Sequence, residues 1–182
     1  MTPEPNLDWL DTRIVDELQK DARIPLRDLA DILGVAASTC SERIRRLQRR
    51  AVITGYHADV DLDALGRPVQ ALVTTQVRPL NRQLIEQFRE DVLSMPEVMA
   101  VFVLAGGDDF LLHVGVRDVN QLHSFIVDKL STRREVTQFR SSLIFTHGRK
   151  RSIENLCSND MDEHTGRALP SAQAGARAGR SR

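Results

Sequence analysis

The sequence predicts an α+β fold: an N-terminal three-helix helix-turn-helix domain, a strand linker, and a C-terminal βαββαβ domain of ferredoxin-like type. Apolar residues recur at helical spacing across residues 7–50, β-branched residues alternate in AVITGYHADVDLD, and strand and helix signals interleave from Val69 onward. The organisation these signals give is a helical domain over residues 7–55, a linker over 56–67, a βαββαβ domain over 68–148, and a tail over 149–182 expected to be disordered.

In the first domain Leu10, Ile14 and Leu18 mark one helix, Leu26, Leu29, Ala30 and Leu33 a second, and Cys40, Ile44 and Leu47 a third. Pro25 suits the first turn of the second helix and Gly34 its left-handed end, which leaves a turn of three or four residues before the third. DLDALGRP then supplies turn residues. After it come a strand (QALVTTQV), a helix (Arg82 to Ser94), a strand (EVMAVFVLA), a tight turn (GGDD), a strand (FLLHVGV), a helix (Asn120 to Leu130) and a strand (Val136 to Phe145). Apolar faces at Leu84, Phe88 and Val92 and at Leu122, Phe125, Ile126 and Leu130 place both helices on one side of the sheet. The second strand is apolar on both faces, so the other side of the sheet needs a cover, and sheet-to-sheet pairing in a homodimer provides it.

The chain is 41% apolar and 27% charged, the composition of a folded protein with a core to bury. No stretch approaches the roughly 18 continuous apolar residues of a membrane helix. The start MTPEPNLDWLD has neither a basic nor an apolar targeting region, so a cytoplasmic protein with no membrane partner is expected. Cys40 and Cys157 are far apart and lack zinc or redox spacing, which points to reduced thiols. His113 and His123 stand alone, and no Ser/His/Asp, Cys/His or HExxH set is present. No catalytic residue, metal or cofactor is therefore expected. Residues after about 150 are rich in Ser, Asn, Asp, Gly, Ala and Arg, with too little apolar surface to offset chain entropy.

A formal net charge of zero argues against a general polyanion binder, but the charge is unevenly distributed. Five arginines fall within SERIRRLQRR, residues 41–50, after a segment carrying Asp8, Asp11, Asp16, Glu17, Asp21, Asp28 and Asp31. With Cys40, Ile44 and Leu47 turned to the core, Ser38, Glu42, Arg45 and Arg49 face outward, with Ser41 and Arg46 beside them. Hydroxyls near a helix start can bond phosphates or base edges, and arginines can pair with guanine or phosphate. Glu42 can accept from cytosine or pair with Arg45 or Arg46. The candidate contacts to double-stranded DNA are Ala37, Ser38, Thr39, Ser41, Glu42, Arg43, Arg45, Arg46 and Arg49. A solvated basic face on an ordinary helical subdomain is the competing account.

The opening LDxxDxxI, the DARI before the second helix, DLA within it, STxxxRIRRL in the third helix and VITGY after it resemble the N-terminal module of the Lrp/AsnC (feast/famine) transcription regulators. The likeness extends over nearly all of residues 7–148 and implies a RAM-type C-terminal domain that dimerises through its sheet and often assembles further, to an octamer. It also implies an amino-acid-like effector bound near the turn between the second and third strands. Here that turn is Gly106, Gly107, Asp108 and Asp109, retaining GxxD as Gly106 and Asp109, while Arg140 and Ser142, with Gln138 and Ser141, match the polar positions of the last strand more loosely. Glycines can expose N–H groups to a carboxylate and an aspartate can pair with an ammonium group, although any β-hairpin can turn on Gly and Asp.

Two departures stand out. Ala36 replaces the usual capping serine, which leaves a helix start at Ser38 open, and Ala51 replaces the usual glycine after the recognition helix, where a left-handed alanine costs on the order of 1 kcal/mol. Cys40 reads as a small buried hydrophobe, with a thiol switch as the alternative. Two other functions share the plan: a tetrapyrrole decarboxylase of the haem pathway that no longer uses its helix-turn-helix, and a low-specificity DNA-architectural protein. The arginine-rich helix and the lack of clustered pocket histidines weigh against the first.

Overall fold

The computed structural model describes residues 7–156. The expectations for residues 1–6, for Cys157 and for the rest of the tail to residue 182 lie outside the described residues. Contacts divide the chain into two units: residues up to Tyr56 together with those from Lys150 on, and His57–Arg149.

The first unit holds α1 (Trp9–Lys20), α2 (Leu26–Leu33) and α3 (Ala37–Arg49). The Asp8 carboxylate caps α1 by accepting from Asp11 N–H at 2.9 Å. Gly34 closes α2 with φ +67°, and Val35 N–H reaches back to Ala30 O at 3.1 Å. Between Leu33 and Ala37 there remain three residues, the short turn expected. Leu10, Ile14, Leu29, Ala30, Leu33, Cys40 and Leu47 bury together, so the helical spacing read from the sequence selects the face that packs.

The third helix starts at Ala37, so the start left open at Ser38 is set one residue earlier, with Ala36 giving no side-chain cap. Its end carries the strain anticipated: Ala51 sits at φ +55°. Ala51 N–H bonds Gln48 O at 3.0 Å and Val52 N–H bonds Leu47 O at 2.9 Å, a Schellman closure built on alanine. Packing of Val52 and Ile53 on the helical core holds it there. Ala51→Gly is expected to stabilise this unit by about 0.5–1 kcal/mol, the relieved left-handed strain less the entropy glycine adds to the unfolded chain. Thermal melts followed at Trp9, the chain's single tryptophan, measure it; a lower midpoint in the variant refutes the strain.

The second unit runs β1 (Val69–Val77), α4 (Arg82–Leu93), β2 (Val98–Val103), β3 (Phe110–Val116), α5 (Val119–Ser124) continuing as a π-helical segment (Phe125–Leu130), and β4 (Val136–Leu143). The strands pair antiparallel in the order β2-β3-β1-β4, the ferredoxin-like arrangement. Asn81 and Asp118 cap the two helices through Leu84 and Gln121 N–H groups. Ala71, Val73 and Val77 of β1 and Phe110, Leu112 and Val114 of β3 bury against Phe88, Val92, Leu122, Phe125 and Leu130. In the π-helical segment Ser131 N–H bonds Ile126 O, five residues back. Phe125 and Leu130 turn fully inward as the apolar face read from the sequence requires, while in the wider turn Ile126, expected on the same face, is left half-buried.

Two local features add detail. Residues 54–61 hold no strand, because alternation makes a strand only where a ladder partner exists and no described residue offers one. Within the first residues of the tail, Ile153 pairs with Gln19 through both its backbone groups, at 3.0 and 2.8 Å. The sheet's other face presents Gln70, Leu72, Thr74, Leu111, His113 and Phe102, more polar than β2 alone suggested.

Candidate functional site

The outward face of α3 separates the arginines into two kinds. Ala37, Ser38, Thr39, Glu42, Arg45 and Arg49 are exposed and Ser41 is half-buried. Among the described residues, Arg45 and Arg49 carry no ion pair. Arg43 and Arg46, named with them from the sequence, are instead engaged in ion pairs with the start of α1. Arg43 Nη1 meets the Asp8 carboxylate and Asp11 Oδ1 (3.2 Å to Asp11), while Arg46 Nη2 lies 2.6 Å from Asp11 Oδ2. Asp11 is fully buried. A helix turn separates 43 from 46 along one side of α3, so both side chains reach the start of α1. Burial raises the Asp8 carboxyl, but its bonds from Arg43 and Asp11 N–H and the two arginine charges outweigh this and hold its pKa below the ordinary value. The Asp8 bond in turn lifts Arg43. Asp8 and Asp11 therefore fix the roll of α3 about its axis, a role not read from the sequence although both lie in the LDxxD motif. Cys40 is wholly buried in the same core, and burial raises its thiol pKa, the setting of an unreactive cysteine.

In the second unit the turn 106–109 stands beside the end of β1, since Thr75 pairs with Phe110. Gly106 has φ +153°, which suits glycine. The Asp109 carboxylate does not face solvent. Its Oδ2 accepts from Val77 N–H at 2.8 Å and Arg78 Nη1 at 2.8 Å, and the residue is buried. Expected as the partner of a ligand's ammonium group, it ties the turn to β1 in the single chain, because a carboxylate this buried needs donors and the strand end provides them. Asp108 Oδ2 bonds Arg140 Nη2 at 2.6 Å, and Gly107 O accepts from Gln76 at 2.6 Å. Arg140 thus joins the turn. Ser142, two residues further along the same face of β4, lies roughly 7 Å farther away, and Ser141 points to the helix side. Gln76 and Arg78 are additions the sequence reading missed; only the strand register brings them to the turn. Asp109→Ala is expected to cost this unit about 2 kcal/mol by stranding Val77 N–H, while Asp109→Asn costs less. Urea titration by circular dichroism checks this, and an unchanged midpoint in the alanine variant contradicts it.

His113 lies on the open sheet face with Nε2 3.0 Å from Gln70 Oε1 and its ring 6.4 Å from that of His147. Partial burial, then the neighbouring ring's charge, lowers its pKa. Among the described residues no group of three or more His, Cys, Asp or Glu is gathered for a metal, and no helix is long and apolar enough to cross a membrane.

A recognition helix exposing Arg45 and Arg49, followed by a ferredoxin-like domain with a tethered Gly-Gly-Asp-Asp turn, defines a helix-turn-helix transcription regulator with a ligand-binding domain. Comparison with known families agrees: residues 7–48 match the AsnC-type helix-turn-helix domain and residues 70–152 the Lrp/AsnC ligand binding domain. The chain belongs to the Lrp/AsnC family. It is 43% identical over 142 residues to the HTH-type transcriptional regulator AldR of Mycolicibacterium smegmatis, covering 78% of this chain and 83% of that one. The crystal structure of AldR from Mycobacterium tuberculosis superposes with a TM-score of 0.68 at 39% identity, over 80% of this chain and 97% of the other. A Neisseria meningitidis transcriptional regulator in complex with L-methionine superposes with a TM-score of 0.73 at 26% identity, over 79% and 93%.

Proposed function

We propose that this chain is a cytoplasmic, sequence-specific DNA-binding regulator of amino-acid metabolism genes whose affinity for DNA responds to an amino acid or related small effector. The observation that carries it is the division on α3: Arg43 and Arg46 are neutralised by Asp8 and Asp11, whereas Ser38, Thr39, Glu42, Arg45 and Arg49 stay outward at a spacing suited to a major groove. Two copies joined through the open sheet faces, and assembled further to an octamer, present paired recognition helices to half-sites about one helical turn apart or a multiple of it. In this reading residues 7–55 bind DNA, 56–67 link, and 68–148 bind the effector and a second copy. The linker residues that lack a ladder partner within one chain gain it from the partner copy.

The effector site is the surface of Gly106, Gly107 and Asp108 with Arg140 of β4, with Asp109 holding the turn in place. Backbone N–H groups at the glycines suit a carboxylate and Asp108 suits an ammonium group, a pairing consistent with the L-methionine complex of the Neisseria relative. The regulatory names of the relatives favour this reading over the tetrapyrrole decarboxylase. A thermal-shift screen against the common amino acids tests it: a ligand that prefers the native state raises the midpoint by mass action, and that shift disappears in Asp108→Ala. No shift with any amino acid, or a shift that persists in Asp108→Ala, refutes the effector site.

A further inference from the structure

We propose that residues 150–156 are a second tether on the DNA-binding unit, one that fixes the half-site spacing this chain accepts; this rests on the regulator reading above and on its paired recognition helices. The chain leaves the first unit after Tyr56 and returns to it at Lys150, so that unit is joined to the ligand-binding domain at two points. Three hydrogen bonds pin the return to α1. Gln19 Nε2 donates to Ile153 O at 3.0 Å, Gln19 Oε1 accepts from Ile153 N–H at 2.8 Å, and Asn155 Nδ2 donates to Thr12 Oγ1 at 3.2 Å. Thr12 and Gln19 are seven residues apart, two turns along one side of the helix, so the strap runs antiparallel to α1. Because one side-chain amide meets both the N–H and the C=O of Ile153, the strap's direction is held as well as its position. Asp8 belongs to the same stripe, four residues before Thr12 and eleven before Gln19, and it holds Arg43 of α3. The tether therefore grips the helix that sets the roll of the recognition helix.

A body tied at one point pivots about it, whereas a body tied at two keeps only rotation about the line between them. Both ties are short. Residues 57–60 separate Tyr56 from the turn that opens at Asp61, whose O accepts from Leu65 N–H at 3.2 Å, and residues 150–152 separate Arg149 from the anchored Ile153. Spans of at most about 18 and 14 Å leave little slack, so in a dimer the two recognition helices are held at a set separation. The strap is also releasable. Ile153 is 70% exposed and Leu156 90%, so hydrogen bonds and not apolar burial hold it, and undoing them leaves the core of Ile14, Leu29 and Leu47 in place. The family match ends at residue 152, which puts the anchoring residues of the strap outside the shared domains.

The test releases the strap from either side in the full chain. Thr12→Val with Gln19→Ala removes the anchors on α1, and Ile153→Pro with Asn155→Ala removes those on the strap. Anisotropy is read on an inverted repeat that the parent selects from a random pool, on the same repeat with about five base pairs, half a turn, inserted between its halves, and on one half alone. The insertion should weaken binding by the parent at least about tenfold, because the second half-site turns to the far side of the duplex and its avidity is lost. Both variants should lose less than about threefold on insertion and bind the lone half as the parent does. A parent indifferent to the insertion overturns the proposal, as does an equal loss in parent and variants. Weaker binding of the lone half by both variants makes the strap a brace for the fold of α1 and overturns it too. A parent that selects no inverted repeat refutes the reading of paired recognition helices and this proposal with it, a result distinct from the other three.

Discussion

Arg43→Ala combined with Arg46→Ala is expected to unfold the N-terminal unit near physiological temperature. The two guanidinium groups are the close partners of Asp11, which is fully buried, and Arg50 Nη1 reaches its carboxylate at 4.0 Å only. Removing the partners of a buried charge typically costs about 3–5 kcal/mol. The lower end applies, because Arg46 is 40% exposed and solvent screens part of the interaction. A helical unit of this size holds only a few kcal/mol in reserve. Adding Asp11→Asn to the double variant should restore much of the loss, since it removes the stranded charge and keeps the shape. Melts followed by circular dichroism and by Trp9 fluorescence read the outcome directly. An unchanged midpoint accompanied by weakened DNA binding would return both arginines to the DNA face. Acid acts in the same direction: the Asp8 carboxyl is lowered in the fold, so its stabilisation is present above the ordinary carboxylate pKa and is lost as pH falls through the lower folded value.

Periodicity gave the two domains because each element buries one face. Leu10, Ile14, Leu29, Leu33, Cys40 and Leu47, and likewise Phe88, Val92, Leu122 and Phe125, were all legible as inward positions. What periodicity cannot carry is a contact made across elements. Helical phase alone gave no sign that Arg43 and Arg46 reach Asp11, 32 and 35 residues earlier. The same holds for the turn. GxxD was visible, but that Asp109 turns inward to Val77 N–H, and that Gln76 and Arg140 grip the turn, depends on the pairing of β1 with β3 and β4. The strand character read at residues 54–61 has no ladder within the single chain for a related reason, since a strand is a property of two segments. Ala51 shows the opposite case: the strain was readable from one residue because the left-handed end of a helix is local.

Arg45→Ala with Arg49→Ala should leave both melting transitions in place and abolish recognition. Both side chains are exposed and hold no described partner, so nothing in the fold loses a bond when they are truncated. On DNA each is worth about 1–3 kcal/mol if it forks onto a guanine edge, and the dimer proposed above would present two copies of each. The double variant should therefore lose at least about a hundredfold in affinity for a duplex selected from a random pool. The salt series tells a base from a phosphate as the arginine's partner. Base readout disappears with little change in the slope of log K against log salt, whereas a phosphate partner takes about 0.9 from that slope for every arginine removed. Ser38 and Thr39 sit at the helix start, where N–H groups and hydroxyls suit phosphate, and Arg45 and Arg49 lie one turn apart further along, which favours the first pattern for Arg45 and the second for Arg49. Binding isotherms that superimpose on the parent would mean that this face of α3 does not enter the groove.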